Sequence, residues 1–175
     1  MPNNLITVTG TITALEIKKV QDQAERLRAA ITVRMPGGTT ISAGVDFLGK
    51  GGEHLQYRFH ISDTVTAIGR VDADRDGTRL RFDNLSVVPA DTPHCKHISV
   101  FGYVAQADYD GCEDFNIRPD GESRRCRVWV SEQDAAKIGL KPGVMAAVEG
   151  TYEIRRCKNF LGEPVDRIYL IPETR

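Results

Sequence analysis

Apolar and polar residues alternate along most of this chain, and the alternation starts afresh past its midpoint. In Leu5–Lys18 (LITVTGTITALEIK), Ile6, Val8 and Ile12 share one face, and Thr7, Thr9, Thr11 and Thr13 share the other. His97–Asp108 (HISVFGYVAQAD) repeats the arrangement, with Ile98, Val100 and Val104 one way and Phe101 and Tyr103 the other. A period of two means strands buried on one face. Gly10 and Gly102 sit inside these runs, where a strand must bend sharply to turn the corner of a small barrel. A second phrase also recurs, SDTVTAIGRV at Ser62–Val71 and KPGVMAAVEGT at Lys141–Thr151.

The same reading predicts five strands in each half. In the first they run over about Leu5–Ile17, Leu27–Met35, Thr40–Leu48, Thr64–Asp72 and Arg79–Val88. Gln21–Arg26 reads as a loop, Pro36-Gly37-Gly38 as a turn, Gly49–Gly52 as a flexible link and Asp74–Gly77 as a hairpin turn. In the second half the strands run over about Ile98–Asp108, Phe115–Arg118, Arg124–Val130, Val144–Arg155 and Pro164–Ile171. Tyr109–Asp114 is an acidic turn, and the stretch from Arg155 to Phe160 reads as a loop running on to Glu163. Ser131, with Asp134 three residues on, starts a short helix over Glu132–Ile138 that stops at Gly139. Ala90–Pro93 (ADTP) is a linker, which divides the chain into residues 1–90 and 94–175.

Composition narrows the function. A chain of 175 residues, 41% apolar and 27% charged, is long enough for two small folded domains. No apolar run reaches the roughly 20 residues that span a bilayer. MPNNLITVTG lacks the regions of a signal peptide, so a cytoplasmic protein without membrane partners is expected. A net charge of −1 excludes a protein that coats nucleic acid by bulk charge, and leaves only a local basic patch.

Short motifs carry little chemistry. Cys95, Cys112, Cys126 and Cys157 form no C-x-x-C pair, so reduced structural thiols and no metal are expected; zinc at Cys95 with His94 and His97 is the rival reading. Gly49–Gly52 (GKGG) lacks the spacing of a phosphate loop. Asp72-x-Asp74-x-Asp76-Gly77, with Asp83 at the twelfth place, imitates a calcium loop, yet it sits between strands and fits a hairpin with Asp-Gly turn chemistry. Nucleophile elbows, Walker loops and zinc-protease motifs are missing, so neither catalysis nor a cofactor is implied.

The order strand, strand, strand, helix, strand, strand is that of the oligonucleotide/oligosaccharide-binding (OB) fold. With Val8-Thr9-Gly10-Thr11-Ile12, Val100-Phe101-Gly102-Tyr103-Val104, and the fourth-strand phrases at Asp63–Val71 and Pro142–Gly150, the chain resembles tandem OB-fold proteins of the single-stranded-DNA-binding type. The resemblance implies an all-β fold with one or two short helices, two tandem five-stranded Greek-key barrels, and a ligand groove across the second and third strands of a barrel. In the second half that groove would hold Arg125, Arg127 and Trp129 on one strand face. Arg155, Arg156, Lys158 and Phe160 would close over it from a loop, with Phe101 and Tyr103 on the same outer surface. Rings stack bases and guanidinium groups neutralise phosphates. Trp129 could instead seal a protein contact, or lie in the core if a bulge reversed its parity. The acidic residues Asp108, Asp110, Glu113 and Asp114 weigh against phosphate nearby. Two functions follow: binding of single-stranded nucleic acid, DNA ahead of RNA, or a protein-interaction module that bridges subunits or forms a homo-oligomer.

Overall fold

The structure is a computed structural model that describes residues 3–74, 77–107, 109 and 111–173. Their chain order is β1 (Asn4–Lys19), a 3-10 turn (Gln21–Gln23), β2 (Glu25–Arg34), β3 (Thr40–Leu48), α1 (Leu55–Arg58), β4 (Thr64–Asp74) and β5 (Gly77–Val87). There follow β6 (Cys95–Gln106), β7 (Phe115–Pro119), β8 (Val128–Val130), α2 (Glu132–Ile138), β9 (Met145–Lys158) and β10 (Pro164–Pro172). No helix among the described residues is long and apolar enough to cross a membrane.

The described residues fall into two compact units. The N-terminal unit comprises Ile6–Arg70 and Leu80–Lys96; the C-terminal unit comprises the described residues of Met1–Leu5, Val71–Arg79 and His97–Arg175.

In the N-terminal unit β1 pairs antiparallel with β2 and with β4, β2 with β3, and β3 runs parallel to β5 at Phe47 and Phe82, while β5 neighbours β4. That circuit closes, so the strands form a five-stranded barrel of the OB type. Ile6, Val8, Ile12, Leu27, Ile31, Val33, Val65 and Ala67 are fully buried inside it. A register shift between Ile12 and Ala14 bends β1 partway along. The alternation gave no hint of α1, because one helical turn is too short to show a period. Its Leu55 and the following Phe59 are nonetheless fully buried or nearly so. Thr9, expected on the outer hydroxyl face, is buried and shares a 2.8 Å hydrogen bond with Thr66.

The C-terminal unit repeats the circuit: β6 with β7 and β9, β7 with β8, β10 parallel to β8 at Tyr169 and Trp129, and β10 with β9. Ile98, Val104, Ile117, Val128, Val130 and Leu170 are fully buried. A Cβ on Gly102 would lie 2.0 Å from the Arg118 carbonyl oxygen, and one on Gly10 2.4 Å from that of Thr32. The two first-strand glycines are therefore required by close backbone approach. α2 forms where the sequence placed it: Ser131 Oγ accepts the Asp134 amide at 3.1 Å, and Gly139 ends the helix at φ +67°.

Two of the strand boundaries that differ from expectation move expected site residues. The strand expected over Arg124–Val130 starts only at Val128, because the Cys126 amide bonds back to the Ser123 carbonyl at 2.9 Å and closes a turn. Conversely, β9 runs on through Arg155, Arg156 and Lys158, which register against Arg167, Asp166 and Pro164. The turn is Asn159–Glu163, where Asn159 Oδ1 accepts the amides of Leu161 and Glu163 at 3.0 Å each. The expected calcium-like run begins in β4 and ends in β5; its Asp76 lies outside the described residues.

Candidate nucleic-acid interface

The outer face of β7 and β8 carries an open cleft of about 480 Å³ in the C-terminal unit. Strand parity supplies it. Asn116 and Arg118 point away from Ile117 on β7, and Trp129, opposite Asn116, points away from Val128 and Val130 on β8. Ala105, Gln106 and Ala107 at the end of β6 form one margin, with Tyr109 from the β6–β7 connection. Arg127 and Phe160, from the β9–β10 turn, complete the lining. Its described residues include two arginines and no carboxylate. The volume lies within the roughly 300–1,000 Å³ of ligand pockets. The position, across the second and third strands between two loops, is where OB folds take oligonucleotides and oligosaccharides.

Of the residues expected at the site, the cleft brings together Arg127, Trp129 and Phe160. Phe160 is 74% exposed, a free ring. Tyr103 stands at the edge, with the Arg118 guanidinium 5.6 Å from its ring centroid. Phe101 is partly exposed one strand pair beyond the lining. Arg125 lies in the Ser123–Cys126 turn instead of on the strand face, and does not line the cleft. Arg155, Arg156 and Lys158 belong to β9, not to a closing loop. The Arg155 guanidinium sits 4.4 Å from the Tyr169 ring centroid, and Arg156 pairs with Asp166 at 3.1 Å. The sequence reading missed Gln106, Tyr109, Asn116 and Arg118; the parity of Phe115–Pro119 was the available signal for the last two.

Trp129 corrects the plainest expectation. It points outward as expected, but it is only 7% exposed and is no free stacking platform. The β6–β7 connection lays Cys112 and Tyr109 over it, and Tyr169 packs alongside with ring centroids 6.4 Å apart. The Arg167 guanidinium covers its ring at 3.9 Å from the centroid, a cation–π contact worth about 2 kcal/mol when desolvated. Arg167, itself 8% exposed, also donates to the Tyr109 hydroxyl, to Cys112 Sγ at 3.7 Å and to the Lys158 carbonyl at 3.4 Å. Burial works against its charge, but the hydrogen bonds to Tyr109, Tyr169 and Cys112 outweigh that and raise its pKa. Burial likewise raises the pKa of Tyr109 and of Tyr169, so both phenols stay neutral across the neutral range. Tyr169 donates to Asp114 at 2.6 Å, and Asp114 also accepts the Glu132 amide at 3.0 Å. One carboxylate of the acidic connection is thus spent inside the unit; Asp108 and Asp110 lie outside the described residues.

The described thiols have partners close by: Cys95 with Thr9, Cys112 with Arg167, Cys126 with the Val71 carbonyl and Cys157 with the Tyr169 hydroxyl. His94 Nδ1 accepts the Arg34 amide at 3.0 Å. Among the described residues, His97, Glu149 and Glu173 form the grouping that could hold a metal ion, with ligand atoms within 4.8 Å of one another. Both glutamates are largely exposed and lie 3.9 and 3.7 Å from His97 Nε2, distances that an imidazole flanked by carboxylates reaches without an ion.

No family model matches the chain, and no curated protein matches it. Solved structures do. The wild-type single-stranded DNA binding protein from Thermus aquaticus superposes with a TM-score of 0.64 at 13% identity, over 98% of this chain and 93% of that one. A deletion mutant of that protein gives 0.59 at 13% identity, over 96% and 91%. The chain therefore has the OB-type fold of that protein along nearly its whole length.

Proposed function

We propose that this protein binds single-stranded DNA in the cleft of the C-terminal unit, as a binding protein rather than an enzyme. The observation that carries the reading is the cleft itself: an arginine-bearing groove without described carboxylates, across the second and third strands of an OB barrel. Arg118 and Arg127 neutralise phosphates, and Asn116 and Gln106 supply hydrogen bonds. Phe160 is the ring that takes a base, with Tyr103 as a second at the margin. Trp129 serves as the floor. The likeness to a protein named for single-stranded DNA binding supports the choice of ligand.

The test is titration with a thirty-base oligonucleotide at two salt concentrations, read by the emission of Trp129, the only tryptophan. Binding should weaken with salt and change that emission. Phe160→Ala should cost about 1–3 kcal/mol of binding. No affinity at low salt would sink the proposal. A protein partner is then the reading to pursue. Phe101 and Tyr103, opposite Ala147 and Met145, leave partly exposed apolar side chains outside the cleft lining, and such surfaces mark contacts.

A further inference from the structure

We infer that Arg167 is the positioning residue of the cleft: it contacts no ligand, and it ties the floor to both margins. Its partners come from three separate segments. Trp129 is the floor, on β8; Tyr109 is one margin, on the β6–β7 connection; and the Lys158 carbonyl ends β9, two residues before Phe160 at the other margin. One guanidinium stacks on the first and donates to the other two. Arg167 itself is buried and does not line the cleft.

The chemistry restricts this role to arginine. A guanidinium is planar, so it can lie flat on an indole while its edge N–H groups reach partners on two sides. A lysine ammonium carries charge and three donors but has no plane to stack on the indole, and it lacks the second nitrogen with which Nη1 reaches Cys112 Sγ while Nη2 serves Tyr109 and the Lys158 carbonyl. A buried cation persists only where such partners satisfy it. Without the tie, Tyr109 and the Asn159–Glu163 turn lose their common anchor, and the width between Tyr109 and Phe160 is no longer set. A site loosened in this way keeps its residues and loses affinity.

The role in DNA binding rests on the function proposed above; the tie itself does not, and the experiment separates them. Arg167→Lys and Tyr109→Phe are compared with the unaltered chain, first without DNA. Acrylamide should quench Trp129 more readily in both variants, and most in Arg167→Lys, because the guanidinium no longer covers the ring. With the thirty-base oligonucleotide, Arg167→Lys should bind on the order of tenfold more weakly, with the dependence of affinity on salt unchanged. Tyr109→Phe should lose a smaller factor, and it keeps the test open if Arg167→Lys fails to fold. Quenching identical to the unaltered chain in both variants would overturn the tie. A salt slope reduced by about 0.7 in Arg167→Gln, which removes the charge that Arg167→Lys keeps, would make Arg167 a phosphate contact and overturn the positioning role. If the unaltered chain binds no oligonucleotide, the proposed function falls, while the quenching measurement still decides the tie.

Discussion

The two units close the same circuit of five strands and present very different outer faces. On the N-terminal unit, Glu16 and Lys18 of β1 lie opposite Arg28 and Arg26 of β2, and Arg28 faces Asp46 of β3. Asp46 holds both arginines at 3.5 Å, and Lys18 pairs with Glu16 at 3.1 Å. The space there is about 90 Å³, lined by Glu16, Lys18, Arg26, Arg28 and Val20. On the C-terminal unit the corresponding strands carry the cleft of about 480 Å³, in which Arg118 lies against a ring and described carboxylates are absent from the lining. A barrel therefore does not make a site. What matters is whether the cations on its face are neutralised by their own neighbours or left for a ligand.

The largest effect that sharpens this contrast comes from removing cations on each face in turn. Replacing Arg118 and Arg127 together by Ala should weaken oligonucleotide binding by tenfold or more and lower its salt slope by about 1.4 units, since each phosphate contact on a single strand contributes about 0.7. Replacing Arg26 and Arg28 together should leave affinity within about threefold, because exposed ion pairs of this kind are worth little to begin with. Equal losses from the two pairs in filter-binding assays would erase the distinction between the units.

A smaller effect runs in the opposite direction. Asp46→Asn releases Arg26 and Arg28, which should raise affinity a few-fold at low salt and change stability by no more than about 1 kcal/mol, given the exposure of all three side chains. An unchanged affinity would mean that the small space, and not the paired charge, limits binding at the N-terminal face.

The smallest effect concerns the N-terminal unit alone. Burial first, then the Arg34 charge, lowers the pKa of His94, whose Nδ1 must stay unprotonated to accept the Arg34 amide. A histidine with a folded-state pKa below its unfolded value contributes stability that is present above the unfolded pKa, near 6.5, and lost as pH falls through the folded one. His94→Ala should therefore cost about 1 kcal/mol near neutral pH and progressively less on acidification, seen as converging urea midpoints for the two proteins. Parallel midpoints across that range would show that the hydrogen bond contributes nothing to the unit.

Local rules determined much of this protein. The alternation from Ile6 to Ile12 and from Ile98 to Val104 set which faces are buried, since a pleated strand sends successive side chains to opposite sides. Gly10 and Gly102, and the Ser131 and Gly139 caps of α2, acted where they stand in the chain. The strand order pointed to the barrel, and Phe160 was recognisable as an exposed ring in a turn. Only the tertiary structure decided which outward groups are free. Parity gives the direction of Trp129 but not what lies on top of it, and its cover comes from Tyr109, Cys112, Arg167 and Tyr169, between 17 and 40 residues away along the chain. Arg167 looks like an ordinary surface cation in Pro164–Pro172 until Tyr109, 58 residues earlier, folds onto it. The cysteine-containing turn that removes Arg125 from the strand face, and the extension of β9 that takes Arg155 out of the loop, likewise follow from where backbone amides find acceptors across the fold, which no window of sequence contains.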